Sequence, residues 1–363
     1  MPCFFGIIVD EHILEGLFLV TAHIKNTNAT PAAFGWDFQY NLALYLVMDQ
    51  DLTQVEKFKV EGATEDIEIY FRNKEPIYIQ AKAQEDPYST STTSQHLKNA
   101  VNSLINAVYN VKEKYSEIIY GNNIEVPIRA RTFLTLFHGS RVKLSYSELP
   151  ETHKKKIDLI IDKSTVSIDK EQLKQNFHIL KITFQGGDDE TRYRLVREKV
   201  INRLNEIGLQ RHKAVKIFSY LQNEFKNNAS QRIDLSIEKL GWLIILYSIN
   251  VEENTVYEVF DIPQINESSL KADFSELILN KSLDFEFVTS VITEFNKFSL
   301  SCTTRRDAVK NFINEHYSRY REGILNLHDG ICGSLLDDLT KVILFQILSS
   351  HSDINSVRTG LSI

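Results

Sequence analysis

The chain has 363 residues, 43% of them hydrophobic and 25% charged, which is typical of a globular protein and long enough for two domains. Its net charge of −7 excludes a surface that is basic throughout, so any contact with DNA must come from local basic patches. Three cysteines without a CxxC pair or zinc-ligand spacing predict a reduced, cytoplasmic protein.

The first twenty residues are apolar but do not have the pattern of a signal peptide. They lack a basic start, and Asp10, Glu11 and Glu15 interrupt the apolar run, so we expect an N-terminal strand or hairpin there. The longest later apolar run, residues 240–249, has about half the length of a membrane span. We therefore expect no membrane anchor.

Apolar periodicity divides the chain into an α/β part and a helical part. Helical spacing predicts helices over residues 33–49 and 94–115, and β-branched and aromatic runs predict strands. The extended runs are 56–71, 76–83, 129–138, 157–168 and 177–184, of which the first two form antiparallel neighbours and the last two flank a polar helix. Helical spacing then returns over residues 194–207, 214–225, 283–298 and 305–325.

The change of character after Gly186 and Gly187 predicts a domain boundary within residues 186–215. We divide the chain into an N-terminal domain of residues 1–205 and a mainly helical domain of residues 206–363. The glycine pair precedes three acids, a pattern that fits a turn capping the next helix better than a metal loop. The aromatic residues of the C-terminal part predict a core, and their surplus also fits a partner surface.

Asp66, Gln80 and Lys82 form the skeleton of a PD-(D/E)xK nuclease site on two neighbouring strands. Residues two apart on a strand point the same way, so Gln80 and Lys82 share a face, and Asp66 must look at that face. Neighbours point to opposite faces, so we expect Asp66 rather than Glu65 in the site. Phosphodiester cleavage needs oxygen ligands for Mg²⁺ and a cation near the phosphate. Taken alone, these residues also fit a solvated hairpin with incidental charges.

Three ordered motifs resemble the CD-NTase-associated dsDNA endonuclease family. They are the helical run Gly35 to Tyr40 with its aromatic pair and Gln39, the stretch from Glu61 to Asp66, and the run Ile79 to Lys82. The resemblance covers residues 33–83, and the helix and strand that follow to residue 138 fit the same core. It implies an α/β fold with a restriction-endonuclease-like mixed sheet flanked by helices, followed by a mainly helical domain.

The resemblance implies metal-dependent cleavage of double-stranded DNA, with Asp66, Gln80 and Lys82 as the active triad. Mg²⁺, or alternatively Mn²⁺, would be held by Asp66, Gln80 and Glu61. Gln39 and Glu61 match family positions and would assist by orienting the metal or its bound water.

The resemblance also implies a biological setting. The family supplies effectors of bacterial antiphage and antiplasmid defence, and a nuclease followed by a helical segment looks most like the nuclease subunit of Lamassu-type systems. There it would be held inactive by an SMC-family ATPase and a small accessory subunit, and would act after release or as a homo-oligomer. Two alternatives stay open, a cyclic-oligonucleotide-gated nuclease and a catalytically silent DNA-docking scaffold.

Two basic stretches offer contacts to DNA phosphates. The first contains Arg129, Arg131, Arg141 and Lys143 in or just after the predicted core strands, and the second covers residues 192–216. Solvated helix and loop faces explain the same charges, above all in the second stretch.

Overall fold

The computed structural model describes residues 30–112, 114–129, 135–231, 234–248, 255–274, 277–278, 284–299, 304–325 and 333–362. Within these residues it is an α/β structure with a mixed seven-stranded sheet and helices on both faces, which confirms the predicted class and the mixed sheet. The expected N-terminal strand or hairpin lies outside the described residues. Among the helices in these ranges, none has the length and apolar character that a membrane crossing requires.

The sheet begins with a helix and a three-stranded meander. Helix α1 (Thr30–Asp49) leads to β1 (Val55–Val60), β2 (Ile67–Phe71) and β3 (Ile77–Lys82), which pair antiparallel in that order. The run 56–71, predicted as one strand, is therefore two strands. They are separated because Glu61 takes a left-handed backbone conformation with φ of 56°, which ends β1 and starts a loop to residue 66.

Parallel strands extend the sheet beyond β3. Helix α2 (Thr93–Val111) leads to β4 (Glu117–Asn122), which pairs parallel with β3, and β6 (Phe177–Ile182) pairs parallel with β4. Two antiparallel edge strands, β5 (Arg141–Ser145) on β6 and β7 (Leu235–Ser236) on β1, complete the order β5-β6-β4-β3-β2-β1-β7. Because β3, β4 and β6 are parallel, their carboxyl ends lie at the same end of the sheet.

The two faces of the sheet pack against different helices. On β3, Ile77, Ile79 and Ala81 belong to a large apolar cluster with α1, whereas the alternate residue Tyr78 belongs to a second cluster with α2. Gln80 and Lys82 follow the phase of Tyr78, so they face the α2 side, as the spacing predicts.

The remaining helices cover both faces and continue into the C-terminal part. They are α3 (Glu151–Asp162), α4 (Lys170–Asn176), α5 (Asp189–Arg192), α6 (Arg194–Glu206), α7 (Arg211–Gln231), α8 (Ile237–Ser248), α9 (Thr255–Val259), α10 (Gln264–Asp273), α11 (Phe285–Ser299), α12 (Arg305–Leu325), α13 (Ser334–Ser349) and α14 (His351–Leu361). Asp188 caps α5 by accepting a hydrogen bond from Thr191 N at 2.9 Å, as expected after the glycine pair.

The packing is continuous across the predicted boundary at residue 205. Helices α6 and α7 pack against α1, and β7 from the C-terminal part joins the sheet at β1. The large apolar cluster runs from Phe34 in α1 to Leu361 in α14, and the C-terminal aromatic residues Phe295 and Phe312 are buried within it. The division at residue 205 therefore does not coincide with a break in the core.

Three local expectations differ from the structure. Residues 157–168 were predicted to be extended, but the first part of this run belongs to helix α3. Ile157, Ile160 and Ile161 lie at helical spacing, and the helix directs all three toward one apolar cluster. Half of the predicted strand over 129–138, residues 130–134, lies outside the described ranges, and 135–137 form a turn. Strand β4 was not among the predicted elements; its run EIIYGN is short and is stabilised by pairing with strands distant in sequence.

Candidate active site

Asp66, Gln80 and Lys82 meet where β2 begins and β3 ends. Ile67 pairs with Ile79, which places Asp66 beside Gln80 and Ala81. Asp66 Oδ2 accepts hydrogen bonds from Gln80 Nε2 and from the backbone N–H of Ala81, the latter at 2.9 Å. Lys82 Nζ lies 4.0 Å from the same oxygen. The three residues predicted as an active triad are thus brought together around one carboxylate.

Gln39 and Glu61 join this group from α1 and from the loop after β1. Gln39 Nε2 donates hydrogen bonds to Glu61 Oε1 at 2.5 Å and to the backbone oxygen of Asp66 at 3.2 Å. The N–H of Glu61 donates to the same backbone oxygen at 2.7 Å, which closes the loop of residues 61–66. All five predicted catalytic residues therefore lie at one end of the meander, although they span α1, the loop and β3.

The electrostatics of Asp66 reflect a buried acid with one nearby cation. Burial raises the pKa of its carboxyl, and the charge of Glu61 acts in the same direction. The ammonium of Lys82 and the hydrogen bonds from Ala81 and Gln80 act to lower the pKa, but they do not offset burial. Burial, rather than a surplus of negative charge, therefore raises the pKa of Asp66, and a bound cation would favour its ionised form.

Glu65 is a site residue that the strand-alternation rule excluded, and here the rule does not apply. Residues 63–66 form bends before β2, so Glu65 and Asp66 are not neighbours on a strand. The carboxyl group of Glu65 is only 4% exposed, and neither of its oxygens accepts a hydrogen bond of ordinary geometry within the described residues, although Ser103 and the backbone of Asp66 lie near it. Burial, and then the charge of Asp66, raise its pKa to about 8, while Ser103 and Lys82 act in the opposite direction. In the sequence, only its position next to Asp66 could have marked Glu65 as a residue of the site.

Glu68 shapes the loop that carries these acids, and sequence analysis did not single it out. Its buried Oε1 accepts hydrogen bonds from the N–H groups of Thr64 at 2.9 Å and Glu65 at 3.3 Å, and its Oε2 accepts one from Tyr70 Oη at 2.7 Å. Gly62 packs directly on this carboxylate: a Cβ there would lie 2.3 Å from Glu68 Oε1. The loop conformation depends on both residues.

His96 on α2 lies on the same side of the sheet as Lys82. Burial and then the positive charge of Lys82 lower the pKa of its imidazole, which keeps the ring neutral at physiological pH. A neutral imidazole beside an ammonium is a hydrogen-bonding group for substrate or water rather than a second cation. In the sequence His96 had no distinguishing neighbour, so nothing marked it as different from the other histidines.

The residues predicted to contact DNA differ in whether their charge is already paired within the protein. Arg129 is exposed, and no ion pair links it to another described residue, whereas Arg131 lies outside the described residues. Arg141 forms an ion pair with Asp49 at 2.7 Å, and Lys143 pairs with Glu117. The last two cations are thus neutralised within the protein.

The candidate site offers carboxylate oxygens, which are the type of ligand that a hard divalent cation prefers. In the part of the chain that the structure describes, no group of three or more His, Cys, Asp or Glu side chains is arranged to hold a metal ion. Mg²⁺ is usually held by only one or two carboxylates together with water and substrate phosphate. Asp66 and Glu61 supply carboxylates, and a cation at this place would favour the ionised form of the buried Glu65 carboxyl beside them. Gln80 uses its amide nitrogen toward Asp66, so its carbonyl oxygen would become a ligand only after the amide rotates.

Comparison with protein-family models, with curated proteins and with solved structures finds no significant match to this chain.

Proposed function

We propose that the protein is a metal-dependent endonuclease that cleaves double-stranded DNA. The observation that carries this proposal is the convergence of Gln39, Glu61, Asp66, Gln80 and Lys82 at one end of the β1-β2-β3 meander. A solvated hairpin with incidental charges would leave these side chains in water. Instead, Asp66 and Gln80 are bonded to each other, and Gln39 reaches from α1 to the loop.

The order of the elements supports the same proposal. A helix that carries Gln39, strands that carry the acids and the QxK motif, and then a further helix and a strand are what the resemblance implies for a restriction-endonuclease-like core. Here β4 follows α2 and pairs parallel with β3, beside the strand that ends in Lys82.

Each residue has a definite task in phosphodiester hydrolysis. The ammonium of Lys82 donates hydrogen bonds to a phosphate oxygen and balances the charge that develops there. The carboxylates of Asp66 and Glu61 would hold the metal, and Gln39 fixes the position of Glu61 and the backbone of Asp66. When bound, Mg²⁺ supplies a Lewis acid at the phosphate and lowers the pKa of a water molecule.

The proposed biological setting is that of a defence effector. In it, the protein is held inactive by an SMC-type complex and cleaves DNA after release or oligomerisation. The C-terminal helices α8–α14 provide the additional surface that such regulation requires.

Plasmid cleavage with and without Mg²⁺ tests the proposal. The wild type is compared with Lys82→Ala and with Lys74→Ala, a matched control in the exposed turn of the same β2–β3 hairpin. We expect Lys82→Ala to lower the rate by about 100- to 1000-fold, and Lys74→Ala to leave it unchanged. Cleavage that needs neither Mg²⁺ nor Lys82, or no cleavage by the protein alone or with its partner subunits, would overturn the proposal.

A further inference from the structure

A cleft of about 1010 Å³ opens between the first turns of α1, the loop at Gly186 and the end of α7. Its volume is at the upper end of the range for small-molecule sites. Aromatic side chains form much of the lining, with Phe34, Trp36 and Tyr40 on α1 and Tyr193 opposite. Nothing in the proposed cleavage chemistry uses these residues.

Trp36 gives the cleft an aromatic wall that is open to solvent. Its side chain is 49% exposed, although indole is among the most apolar of side chains and is usually covered. Phe34, by contrast, is buried and packs edge-on against Phe184, 5.5 Å between ring centroids. The cleft therefore has a fixed aromatic floor and one free aromatic face.

The acid in the cleft, Asp37, is compensated by its surroundings. It accepts hydrogen bonds from Tyr40 Oη at 2.5 Å and Tyr193 Oη at 2.9 Å, and it forms an ion pair with Arg192 at 3.2 Å. Burial and then the charge of Asp37 raise the pKa of Tyr193 to about 12, so this hydroxyl stays protonated. The aromatic lining is thus neutral and preorganised, and Lys226 on α7 adds an exposed cation at the cleft.

The cleft adjoins the candidate active site through two short connections. On α1, Trp36 precedes Gln39 by three residues, a spacing that places their side chains about 5–6 Å apart along the helix surface. On the other side, Glu85 lines the cleft and follows Lys82 by three residues at the carboxyl end of β3. The cleft therefore opens at the carboxyl end of β3, the same end of the sheet as Lys82, although it lies on the α1 side and Lys82 faces the α2 side.

We propose that the cleft receives an unstacked nucleobase of the DNA strand next to the scissile phosphate, with the base against Trp36. A neutral aromatic wall suits any base, because every base offers a π-face. Lys226 offers a polar contact at the edge of the cleft. The nature of the ligand rests on the proposed nuclease function, since only a DNA substrate puts a base beside this phosphate site. Substrates with frayed or unpaired bases are therefore preferred over fully paired duplex.

Tryptophan fluorescence tests the proposal directly, because the chain has two tryptophans. In full-length protein carrying Trp242→Phe and Lys82→Ala, Trp36 is the single reporter and DNA stays intact. We expect its emission to be quenched by single-stranded DNA and by a duplex with one unpaired base, and less by a fully paired duplex. Emission that does not change while fluorescence anisotropy of labelled DNA shows binding would overturn the proposal.

Matched aromatic variants supply the second readout. Trp36→Ala should weaken binding of the duplex with an unpaired base by roughly 5- to 100-fold, as for loss of one base–aromatic stack. Tyr109→Ala removes an aromatic side chain of similar exposure, 48%, on α2 outside the cleft, and should have no effect. Equal losses in the two variants would contradict the assignment.

Two further measurements, a titration with dAMP and the cleavage assay, test the base site and the nuclease function independently of each other. If dAMP at millimolar concentration quenches Trp36 and DNA does not, the cleft binds a free nucleotide and its assignment to the DNA strand is wrong. If DNA quenches Trp36 but cleavage never depends on Mg²⁺ and Lys82, the base site stands and the proposed nuclease function fails. If cleavage depends on both but Trp36 does not respond, only the base site fails.

Discussion

Gln39 on the first helix donates a hydrogen bond of 2.5 Å to Glu61, which lies 22 residues later in the loop after β1. The same amide donates to the backbone oxygen of Asp66, so one side chain fixes both ends of the loop of residues 61–66. Hydrogen bonds from Gln39 therefore connect helix α1, which packs on the sheet, to the loop that carries the acidic residues. Gln39 acts through its neighbours as a positioning residue.

Replacing Gln39 by Leu should lower kcat for DNA cleavage by roughly 10- to 100-fold and leave KM close to the wild-type value. Loss of the buried donor also lowers the free energy of unfolding by about 1–3 kcal/mol. Gln50→Leu is the matched control, because Gln50 lies just after the same helix and its side-chain amide donates to Leu46 O, a contact within the helix end. Steady-state kinetics and urea unfolding check both effects. An equal fall in kcat in the two variants would show that the loss is not specific to the loop.

Gly62→Ala should disturb the active loop more than its single methyl group suggests. The added Cβ would overlap Glu68, whose carboxylate holds the N–H groups of Thr64 and Glu65. We expect the free energy of unfolding to fall by about 1–3 kcal/mol, as for overpacking, together with a loss of cleavage. Gly35→Ala on α1 is the control: its Cβ would meet no atom within 4 Å, and alanine favours helix by about 1 kcal/mol. Thermal unfolding distinguishes the two, and a Gly62→Ala protein as stable as wild type would contradict the role of Glu68.

The sequence was most informative where side-chain direction follows from a regular period. Alternation placed Gln80 and Lys82 on one face of β3, whereas Gln39 was reached only through the family resemblance, because its contact with Glu61 joins residues 22 apart. Alternation could not place Glu65, because this rule holds only inside strands and Glu65 lies in a loop held by hydrogen bonds from Glu61 N to Asp66 O and from Glu65 N to Glu68.

The other features that could not be predicted from the sequence depend on contacts between segments far apart in the chain. Residues 157–168 contain several isoleucines, which favour strands in isolation, but their packing below α2 selects helix α3. The continuous core across residue 205 was equally hidden, because the pairing of β7 with β1 joins segments about 180 residues apart, as their numbering shows. Composition signals a change of secondary structure there, whereas the packing between the two parts depends on contacts that composition does not encode.

Of the residues predicted to bind DNA, Arg129 should matter and Arg141 should not. Arg141 is held by Asp49, which also pairs with Lys199, and although burial raises the pKa of Asp49, these two cations lower it overall. Arg129→Ala should weaken binding to all DNA sequences alike and reduce the slope of log K against log salt by about 0.9. Arg141→Ala should instead lower stability and leave the slope unchanged. Anisotropy titrations from 50 to about 200 mM salt measure this slope. An unchanged slope in Arg129→Ala would contradict the prediction.

The buried carboxyl of Glu65 should make the metal-free protein less stable as the pH rises. Its pKa is about 8 in the folded protein against an ordinary value of 4.5, so the folded state binds the proton more tightly than the unfolded chain. Stability is then highest below pH 4.5 as far as this group is concerned, and it falls between pH 4.5 and about 8 as the unfolded chain releases the proton first. The total difference is on the order of 5 kcal/mol.

Urea unfolding in EDTA at several pH values measures this contribution as the difference between wild type and Glu65→Gln. Glutamine keeps the shape but not the charge, so the variant should gain stability relative to wild type as the pH rises from 5 to about 8. Glu56→Gln, at an exposed position of β1, is the control and should follow the wild-type curve. Mg²⁺ should restore stability at pH 8 in the wild type and much less in Glu65→Gln, because a bound cation favours the ionised carboxylate. Parallel curves for wild type and Glu65→Gln in EDTA would mean that Glu65 is already ionised and solvated, and the cation site would lose its strongest structural support.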